Sequence, residues 1–546
     1  MKNIFLTAVL FTSAICHLTS YISSAQAPAI QWQKCLGGSG YDYPIDAPQT
    51  IAVTSAGNYI AIGTTFSTDG DLATINTDTT AQVWVVYLNS SGNIIWQKTF
   101  GGSKDDYGVA IIQTTDGGFL FVGRTKSNDG NVTGGGFHGG YGFDYWAVKL
   151  DISGNIQWQK CFGGTSTEFG NTLIQSSDGN YIIGGQSFSN DGDLSAGHCA
   201  YDYWVVKINP SGIIIWEKNI GGSGNEYLIS MAPTSDGGCI LNGRTESFDG
   251  VASGNHNSYD QLATGYPLYD YLVVKLDASG NTQWYKTYGG SDWEWGNCII
   301  QTSDGGYVAS GYTYTFSNGG DGDVTLHHGE FDYWMVKTNS SGVIQWATCY
   351  GGDNYELGYG TIQTADGGYA MIGGSPSNSQ QVQGNHGGWD YWLIKTNSGG
   401  QLQWQKCMGG SDYEAGYALQ QTPDGGYIIF GESQSNDQDV SGNQGGGGDF
   451  WIVKLAGTTG VEENNIANSI NISPNPTSGA FKLQMSNVKL SIINYQLSIY
   501  NVLGERVYEM DNGQLSIDLS SQPSGIYFIK VQTEKESFTQ KLIIRK

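Results

Sequence analysis

Seven tryptophans recur at a nearly constant interval, and this repeat constrains the fold more than any other feature of the chain. Each is followed five residues later by a Gly-Gly pair, and successive intervals are 64, 62, 58, 68, 62 and 58 residues. A period near sixty indicates an array of similar units rather than one continuous domain. The repeated residues are Trp32, Trp96, Trp158, Trp216, Trp284, Trp346 and Trp404.

Each unit contains four strand-like runs, which are clearest in residues 107–162. The first two flank Asp116-Gly117, a dipeptide typical of tight hairpins. The third is Asp144 to Leu150, and the short turn Ser153-Gly154-Asn155 joins it to a fourth run that carries the repeated tryptophan. Such a turn permits only an antiparallel neighbour. The chain is rich in glycine and aromatic residues and poor in charge, which also favours short strands over helices.

Seven repeats of four antiparallel strands predict an all-β fold, a seven-bladed β-propeller over residues 26–455. The last unit supplies no fourth strand. Conversely, Ile30 to Cys35 has the pattern of a fourth strand, but no first, second or third strand comes before it. We therefore expect this N-terminal strand to pair with Phe450 to Leu455 and close the ring. Seven contiguous units that begin with the tryptophan strand are the alternative, but the Ser-Gly-Asn turn is too short to cross between blades.

The N-terminus has the pattern of an export signal. Lys2 precedes an apolar run from Ile4 to Cys16 that is too short to span a bilayer, and Ser23-Ser24-Ala25 offers a cleavage site, with Ala25-Gln26-Ala27 as the alternative. We predict a signal peptide over residues 1–25, and no later stretch has the pattern of a transmembrane segment.

Seven cysteines remain after removal of the signal peptide, and four of them share one repeat position. This regular placement favours small buried core residues over a disulfide scaffold. These four are Cys35, Cys161, Cys349 and Cys407.

Negative charge is concentrated in the repeat region. The whole chain carries −25, and because residues 1–25 and 467–546 together carry a net +3, residues 26–466 carry −28. Such a region repels phosphate backbones, so nucleic acid is not an expected partner, and cations or neutral ligands are favoured.

The composition changes after Leu455. Residues 456–469 are polar and acidic and are expected to form a linker, and residues 470–546 show strand patterns typical of a small, Ig-like β-sandwich. Six strands are expected there, at Phe481 to Gln484, Tyr495 to Tyr500, Arg506 to Glu509, Leu515 to Leu519, Ile526 to Val531 and Lys541 to Ile544.

Three motifs in this region resemble the type A C-terminal sorting domain of cargo of the type IX, or Por, secretion system. They are Ser473 to Gly479, Tyr500 to Gly504 and Leu519 to Tyr527, followed by a basic end. The resemblance implies the secretion machinery and its sorting protease as partners. It also implies export across both membranes to the cell surface or the medium. Residues 30–455 resemble a class of secreted bacterial propellers, which implies a fold but no catalytic residues.

An acid stands five residues after the first glycine of every Gly-Gly pair, so seven carboxylates should surround the entrance to the first strands. They could hold a cation, since hard cations prefer several oxygen ligands. Alternatively they are structural, either accepting hydrogen bonds from the Gly-Gly-Ser amides or pairing with a repeated lysine, and we favour this second interpretation. The carboxylate ring comprises Asp42, Asp106, Glu168, Glu226, Glu294, Glu356 and Glu414.

The long connections between second and third strands carry every histidine outside the signal, and we interpret these as solvated loop residues. His327 and His386 are ligand-binding candidates within them, although the adjacent pair His327-His328 is a weak metal motif because neighbours on a strand point apart. Ca²⁺ is a candidate ligand of Asp-Gly-Asp runs such as Asp69-Gly70-Asp71, but none completes a twelve-residue calcium loop. The other two such runs are Asn190 to Asp193 and Asp321 to Asp323.

A tryptophan at one position of every blade is expected to pack between blades, whereas non-repeated aromatics are better candidates for contact with a ligand. These candidates are Trp293, Trp295, Trp389 and Tyr266. No acid, nucleophile and base that deviate from the repeat converge in the sequence. We therefore predict a non-catalytic binding or adhesion module for glycan or protein, with an extracellular polysaccharide-degrading hydrolase or lyase as the alternative.

Overall fold

The computed structural model describes most of the chain from Gln26 onward. The described residues are 26–45, 47–140, 142–195, 200–256, 268–314, 322–324, 327–457, 470–473, 475–485, 495–502, 504–511, 516–533 and 537–546. The predicted signal peptide, most of the predicted linker, His198 and Tyr266 lie outside these residues. The chain divides into two compact units, and the first ends at Gly457.

The strands of the first unit fall into four classes according to their order in each sheet. The first strands are β2 (Asp42–Tyr43) with β3 (Ile51–Val53), β7 (Asp106–Gln113), β11 (Glu168–Gln175), β15 (Glu226–Pro233), β19 (Trp293–Gln301), β23 (Leu357–Gln363) and β27 (Glu414–Gln421). The second strands are β4 (Tyr59–Thr65), β8 (Phe119–Thr125), β12 (Tyr181–Ser187), β16 (Cys239–Thr245), β20 (Tyr307–Tyr314), β24 (Tyr369–Ser375) and β28 (Tyr427–Ser433).

The third and fourth strands follow the same order. The third strands are β5 (Gln82–Leu88), β9 (Asp144–Leu150), β13 (Asp202–Ile208), β17 (Asp270–Leu276), β21 (Phe331–Thr338), β25 (Asp390–Thr396) and β29 (Asp449–Leu455). The fourth strands are β1 (Ile30–Leu36), β6 (Ile94–Phe100), β10 (Ile156–Phe162), β14 (Ile214–Ile220), β18 (Thr282–Tyr288), β22 (Ile344–Tyr350) and β26 (Leu402–Met408). Three-residue 3-10 helices occupy Gly70–Leu72, Gly130–Val132 and Gly250–Ala252 in the second-to-third connections.

These strands form antiparallel sheets, called here sheets 1 to 7 in chain order of their first strands. Sheets 2 to 6 are each built from four consecutive strands, whereas sheet 7 is completed by β1 in the order β1-β29-β28-β27. Ile30 pairs with Leu455 and Leu36 with Phe450. The predicted pairing of the N-terminal strand with Phe450 to Leu455 is therefore confirmed.

Neighbouring sheets share apolar cores. The first strand of each sheet contacts the preceding sheet, and sheet 7 contacts sheet 1 through β27 with β3 and through β29 with β2. Tryptophans of the third strands fill these junctions and are fully buried, for example Trp146 and Trp204. The Tyr145 hydroxyl donates a 3.0 Å hydrogen bond to the backbone carbonyl of Trp204 in the next sheet. The Tyr203, Tyr271, Tyr333 and Tyr391 hydroxyls repeat this bond at the following junctions.

Six of the repeated tryptophans cover the hairpin turn between the third and fourth strands of the next sheet, and Trp404 is the exception because sheet 7 has no such turn. Trp96 donates from Nε1 to the Ile152 carbonyl at 3.0 Å, and its ring lies against Gly154, whose φ is +74°. A Cβ at Gly154 would lie 3.0 Å from that ring, so both the left-handed backbone and the close contact require glycine. The prediction that the repeated tryptophans pack between units is consistent with this contact.

Sheet 1 departs from the repeat. Its first strand is interrupted between Tyr43 and Ile51, so that β2 and β3 pair separately with β4. Gln49 in the interruption donates from Nε2 to the Met231 carbonyl in sheet 4 at 3.3 Å and accepts from Thr172 Oγ1 and the Leu173 amide in sheet 3. This insertion therefore reaches across to sheets that are not its neighbours. It borders a cavity of about 490 Å³, which β15, β19, β23 and β27 also line.

The second unit contains two antiparallel sheets around one apolar core. One has the order β30 (Ile470–Ser473), β31 (Ala480–Met485) and β34 (Ser516–Asp518). The other has the order β33 (Arg506–Asp511), β32 (Tyr495–Asn501), β35 (Gly525–Thr533) and β36 (Ser537–Ile544). All six predicted strands are confirmed within the residues that the structure describes, which exclude Leu515, and β30 was not predicted. Among the described residues, no helix is long and apolar enough to cross a membrane.

Six cysteines of the first unit are free and buried, and they include all four at the shared repeat position. Burial raises the pKa of the Cys239 thiol to about 12, which keeps that thiol protonated at neutral pH. Their interpretation as small buried fillers agrees with these positions. They are Cys35, Cys161, Cys239, Cys298, Cys349 and Cys407.

Candidate functional site

The seven acids of the carboxylate ring lie at or next to the start of the first strands and are fully buried. Glu168 is representative. Its Oε2 accepts the Gly164 amide at 2.9 Å and its Oε1 accepts the Ser187 hydroxyl at 2.8 Å. The same glycine amide bond is present at Asp42, Asp106, Glu226, Glu294, Glu356 and Glu414. The hydrogen bonds of the structural interpretation are therefore present at every position.

A second layer of buried acids begins the third strands and approaches the carboxylate ring of the next sheet. A Cβ on Gly163 would lie 2.4 Å from Glu168 Oε2 and 3.2 Å from Asp144 Oδ1, so both carboxyls border one glycine. Burial raises the pKa of both acids, and it raises the pKa of Asp390 to about 6 and that of Asp449 to about 7. Charged carboxylates in this layer are therefore costly. Gln82 replaces the acid in sheet 1.

Four histidines bind this second layer, so their interpretation as solvated loop residues is wrong. His138 donates its amide and directs Nδ1 to Asp144 Oδ2, at 2.9 and 2.8 Å. The hydrogen bond to Asp144 is the largest cause that raises the pKa of His138. Each of these histidines is partly buried at an equivalent position. The sequence signal that could have identified them is a histidine four to fourteen residues before the third-strand aspartate. The other pairs are His256 with Asp270, His328 with Asp332 and His386 with Asp390.

Of the adjacent pair, His328 rather than His327 takes this position. His328 Nδ1 lies 3.0 Å from Asp332 Oδ2, and its Nε2 lies 3.2 Å from Gln381 Nε2. The ligand-binding candidate His386 lies 2.6 Å from Asp390 Oδ2 through Nδ1. Both histidines thus occupy equivalent places in neighbouring sheets.

The third-strand lysines do not pair with the carboxylate ring, so of the two structural alternatives the hydrogen bonds to the glycine amides are present and the pairing with these lysines is not. Lys149 Nζ is buried and lies 2.9 Å from Asp116 Oδ2, in the first hairpin turn at the opposite end of the strands. The same ion pair recurs in five more sheets. The pairs are Lys207–Asp178, Lys275–Asp236, Lys337–Asp304, Lys395–Asp366 and Lys454–Asp424.

The Asp-Gly-Asp runs bind backbone amides of the neighbouring Gly-Gly-Ser connection. Asp69 Oδ1 accepts the Ser39 amide at 2.7 Å, and Asp71 Oδ2 accepts the Gly37 amide at 3.1 Å. Asp191 and Asp193 make the equivalent bonds to Thr165 and Gly163. Within the described ranges, no group of three or more His, Cys, Asp or Glu side chains could hold a metal ion.

Partly buried aromatic rings form an arc at the same end of the strands. Consecutive centroids are 5.4 to 6.2 Å apart. Eight of the rings come from the residue after a carboxylate-ring acid or from the residue before a third-strand aspartate, whereas Tyr312 lies on β20 and Tyr355 precedes Glu356. The arc, called here the aromatic collar, runs through Tyr107, Phe143, Phe169, Tyr201, Tyr227, Tyr269, Trp295, Tyr312, Phe331 and Tyr355.

The predicted tryptophans lie in or beside this collar. Trp295 stacks on Tyr312 at 5.4 Å, Trp293 lies 5.4 Å from Tyr314, and Trp389 lies 5.9 Å from Tyr413. Trp295 and Trp389 occupy positions that are aromatic in several sheets, so their description as non-repeated was wrong. The other collar rings were not predicted, because their positions are recognisable in the sequence only when tyrosine, phenylalanine and tryptophan are treated as one class.

One acid in the collar region deviates from the repeat. Glu432 is buried in sheet 7, where the equivalent residue in sheets 2 and 4 is an arginine. Its carboxylate accepts hydrogen bonds from the Tyr41 hydroxyl at 2.6 Å and from the Tyr417 hydroxyl at 2.7 Å. This acid was not predicted, although its position is equivalent to that of Arg124 and Arg244 in their repeats.

In the second unit, the Pro-Asn-Pro-Thr motif binds the last strand. Asn475 donates from Nδ2 to the Lys541 carbonyl and accepts the Ile543 amide, at 2.8 and 2.9 Å. Thr477 donates its amide to the Ile543 carbonyl and accepts the Arg545 amide. The Tyr527 hydroxyl donates to the Pro523 carbonyl at 2.9 Å. The three motifs identified in the sequence therefore form ordered contacts within one small domain.

Residues 471–545 match the secretion system C-terminal sorting domain family. The sorting domain places the protein among substrates of type IX secretion, and it is exported to the cell surface or outside the cell. The type IX secretion machinery is therefore a partner of the protein.

Solved structures resemble the chain at low identity. The extracellular domain described as part of a hybrid two component system from B. thetaiotaomicron is 11% identical, with a TM-score of 0.36, and the alignment covers 95% of this chain and 60% of that domain. An ulvan lyase from a new family of polysaccharide lyases is 10% identical, with a TM-score of 0.43 and coverage of 78% and 96%. The Neurospora crassa Pan2 WD40 domain is 11% identical, with a TM-score of 0.32 and coverage of 62% and 94%. No curated protein matches the chain in sequence.

Proposed function

We propose that the first unit is a seven-bladed β-propeller that acts outside the cell as a non-catalytic binding or adhesion module for glycan or protein. Residues 456–469 are its linker, and residues 470–546 form an Ig-like sorting domain. The closed series of contacts between sheets 1 to 7 supports the propeller architecture.

The aromatic collar is the observation that carries the binding function. Aromatic faces stack on the apolar faces of sugars and on apolar side chains, and their hydroxyl or indole edges supply hydrogen bonds. The collar lies at the end of the sheets that also bears the long second-to-third connections. We expect Trp293, Trp295 and Trp389 to contact a ligand there. The carboxylate ring and the histidine–aspartate pairs organise the connections beneath it.

A structural role for the carboxylate ring agrees with its burial. A general acid or base must reach the substrate, whereas Glu168 and Glu226 are fully buried and bound to glycine amides and hydroxyls of the protein. The polysaccharide-degrading alternative would need an acid exposed in the collar, and its candidates are the exposed Glu330, which interacts with the Tyr355 hydroxyl, and the partly exposed Glu246, which interacts with the Tyr269 hydroxyl.

A glycan and protein binding array with the secreted full chain tests this proposal. Tyr355 in the collar and Tyr285 on the fourth strand β18 are 40% and 39% exposed, so Tyr355→Ala and Tyr285→Ala form a matched pair. We expect Tyr355→Ala and Trp295→Ala to weaken binding and Tyr285→Ala to preserve it. Equal binding by all variants would refute the collar as the site, and release of new sugar ends from a bound polysaccharide would favour the enzyme.

A further inference from the structure

Four basic residues of the repeat region lie outside the two repeated lysine positions, and three of them contact rings of the collar. Residues 26–455 contain fourteen lysines and two arginines, and twelve of the lysines occupy the two repeated positions on third and fourth strands. Six of these are in ion pairs with first-hairpin turns at the opposite end of the sheets. The other four residues are Lys104, Arg124, Lys126 and Arg244.

Arg124 and Lys126 converge on one ring. Lys126 Nζ lies 4.2 Å and Arg124 Cζ lies 5.6 Å from the centroid of Phe143, and both side chains are partly exposed. They stand two residues apart at the end of β8, so they project from the same side of the sheet. Two like charges over one ring repel each other, and an anionic group bound between them would relieve that repulsion.

Arg244 supplies a second cation further along the collar. Its Cζ lies 4.1 Å from the centroid of Trp295, 4.8 Å from Tyr227 and 5.2 Å from Tyr269. The rings of Phe169 and Tyr201 lie between the two cationic positions. Two cationic positions are thus separated by aromatic rings along the arc, which suits a chain of sugars that carries negative groups at intervals.

The acidic composition of the region does not oppose this arrangement. The carboxylate-ring acids and six third-strand aspartates are fully buried, and burial raises the pKa of most of them, so the formal charge of −28 overstates the charge at the surface. Acids around the cations are Asp105 beside Tyr107, Asp129 beside Lys104, and Glu246, which interacts with Tyr227 and Tyr269, two of the rings that Arg244 contacts. Lys126 and Arg124 therefore form the most positive part of the collar.

We propose that the collar binds an anionic polysaccharide, whose carboxylate or sulfate groups are held by Arg124, Lys126 and Arg244 while its sugar rings stack on the aromatic side chains. This inference rests on the proposed binding function and specifies the class of ligand. An acidic peptide is a different ligand, and it is an outcome of the test below.

Matched polymers that differ only in charge provide the experiment. Binding of the full secreted chain is measured to polygalacturonate and its methyl ester, to dextran sulfate and dextran, and to polyglutamate. We expect at least about tenfold tighter binding to the charged member of one carbohydrate pair, and weaker binding as salt rises. The pair that shows the difference distinguishes carboxylate from sulfate.

Variants then locate the site. Lys126→Gln should raise the Kd for the charged polymer about tenfold, Arg124→Gln further, and Arg124→Lys less than Arg124→Gln. Lys286→Gln removes an equal charge from the fourth strand β18 and should leave the Kd unchanged. Since Lys126 is partly exposed, its variant tests the site even if Arg124→Gln lowers the melting temperature.

The outcomes separate the two proposals. Equal or tighter binding of the neutral polymers refutes anionic recognition and leaves collar binding intact. Equal binding of polyglutamate refutes a preference for carbohydrate. Failure to bind any polymer, together with a blank glycan and protein array, refutes both proposals.

Discussion

Trp451 donates from Nε1 to Gln33 Oε1 at 2.9 Å, although 418 residues separate the two along the chain. The equivalent bonds in sheets 2 and 6 join Trp146 to Gln159 and Trp392 to Gln405, only 13 residues apart. The junction between chain ends thus reproduces the side-chain contacts of a sheet made from consecutive strands.

Removal of residues 26–38 should destabilise the whole first unit. It deletes β1, exposes the edge of β29 and removes the cover from Trp451, so we expect a loss of several kcal/mol in the free energy of unfolding, on the order of 3–5. Thermal unfolding followed by tryptophan fluorescence is the measurement. Gln33→Ala, which keeps the strand, should cost about 1 kcal/mol. An unchanged melting temperature after the truncation would show that closure contributes nothing.

Asp449→Asn should stabilise the protein above neutral pH. Burial is the largest cause that raises the pKa of Asp449 to about 7, from an ordinary value of 3.8, and Asp42 and Asp71 add to it. The proton that the folded state retains stabilises it fully below about pH 4, and this contribution is lost as the pH rises through 7. We expect a gain of about 1–3 kcal/mol at about pH 8 and a smaller gain at about pH 5.

Asp144→Asn is the control for that variant. Asp144 occupies the equivalent place but accepts two hydrogen bonds from His138, so loss of its charge should not stabilise the protein. Unfolding midpoints across this pH range distinguish the two variants. A gain of equal size for Asp144→Asn would contradict the role assigned to the histidine.

Removal of the aspartate from a lysine–aspartate pair should lower the free energy of unfolding more than removal of the lysine does. Lys149 is buried, whereas Asp116 is 55% exposed on its side chain, so Asp116→Ala leaves a buried ammonium without its counter-charge. We expect a cost of about 1–2 kcal/mol for Asp116→Ala, discounted for solvent screening, and a smaller cost for Lys149→Met. Urea unfolding of the two single variants tests the order, and a larger loss for Lys149→Met would reverse it.

Deletion of residues 470–546 should abolish export across the outer membrane while the first unit remains folded. The sorting domain has its own apolar core, which includes Leu497, Ile529 and Leu542. Cell fractionation and protease accessibility measure location, and the melting temperature of the retained protein measures folding. Surface display of the deleted form would refute the sorting role assigned to this domain.

Much of the fold follows from the sequence because its local signals agree. Asp116-Gly117 sets one hairpin, Ser153-Gly154-Asn155 sets another, and the missing partner of Ile30 to Cys35 determines the closing pair. The interruption in sheet 1 was not predicted, since Gln49 acts through contacts with Thr172 and Met231 that no local pattern reveals.

The candidate site was predicted less completely. The carboxylate ring was visible as a periodic acid, but the connections between His138 and Asp144 and between His256 and Asp270 differ in length, so these pairs do not align. The collar was missed in part because tyrosine, phenylalanine and tryptophan substitute for one another at its positions. Arg124 and Arg244 occupy one repeat position, yet the rings of Phe143 and Tyr269 beside them come from connections of variable length.

The pairing of β1 with β29 also sets an order of events. The first strand of the array to be synthesised has to wait for the last strand before sheet 7 can form, and non-local pairing of this kind is slow. The other sheets can assemble as their own four strands emerge. The fold of the first unit can therefore be completed only after the chain has been synthesised through Leu455. This residue precedes the segment that directs secretion.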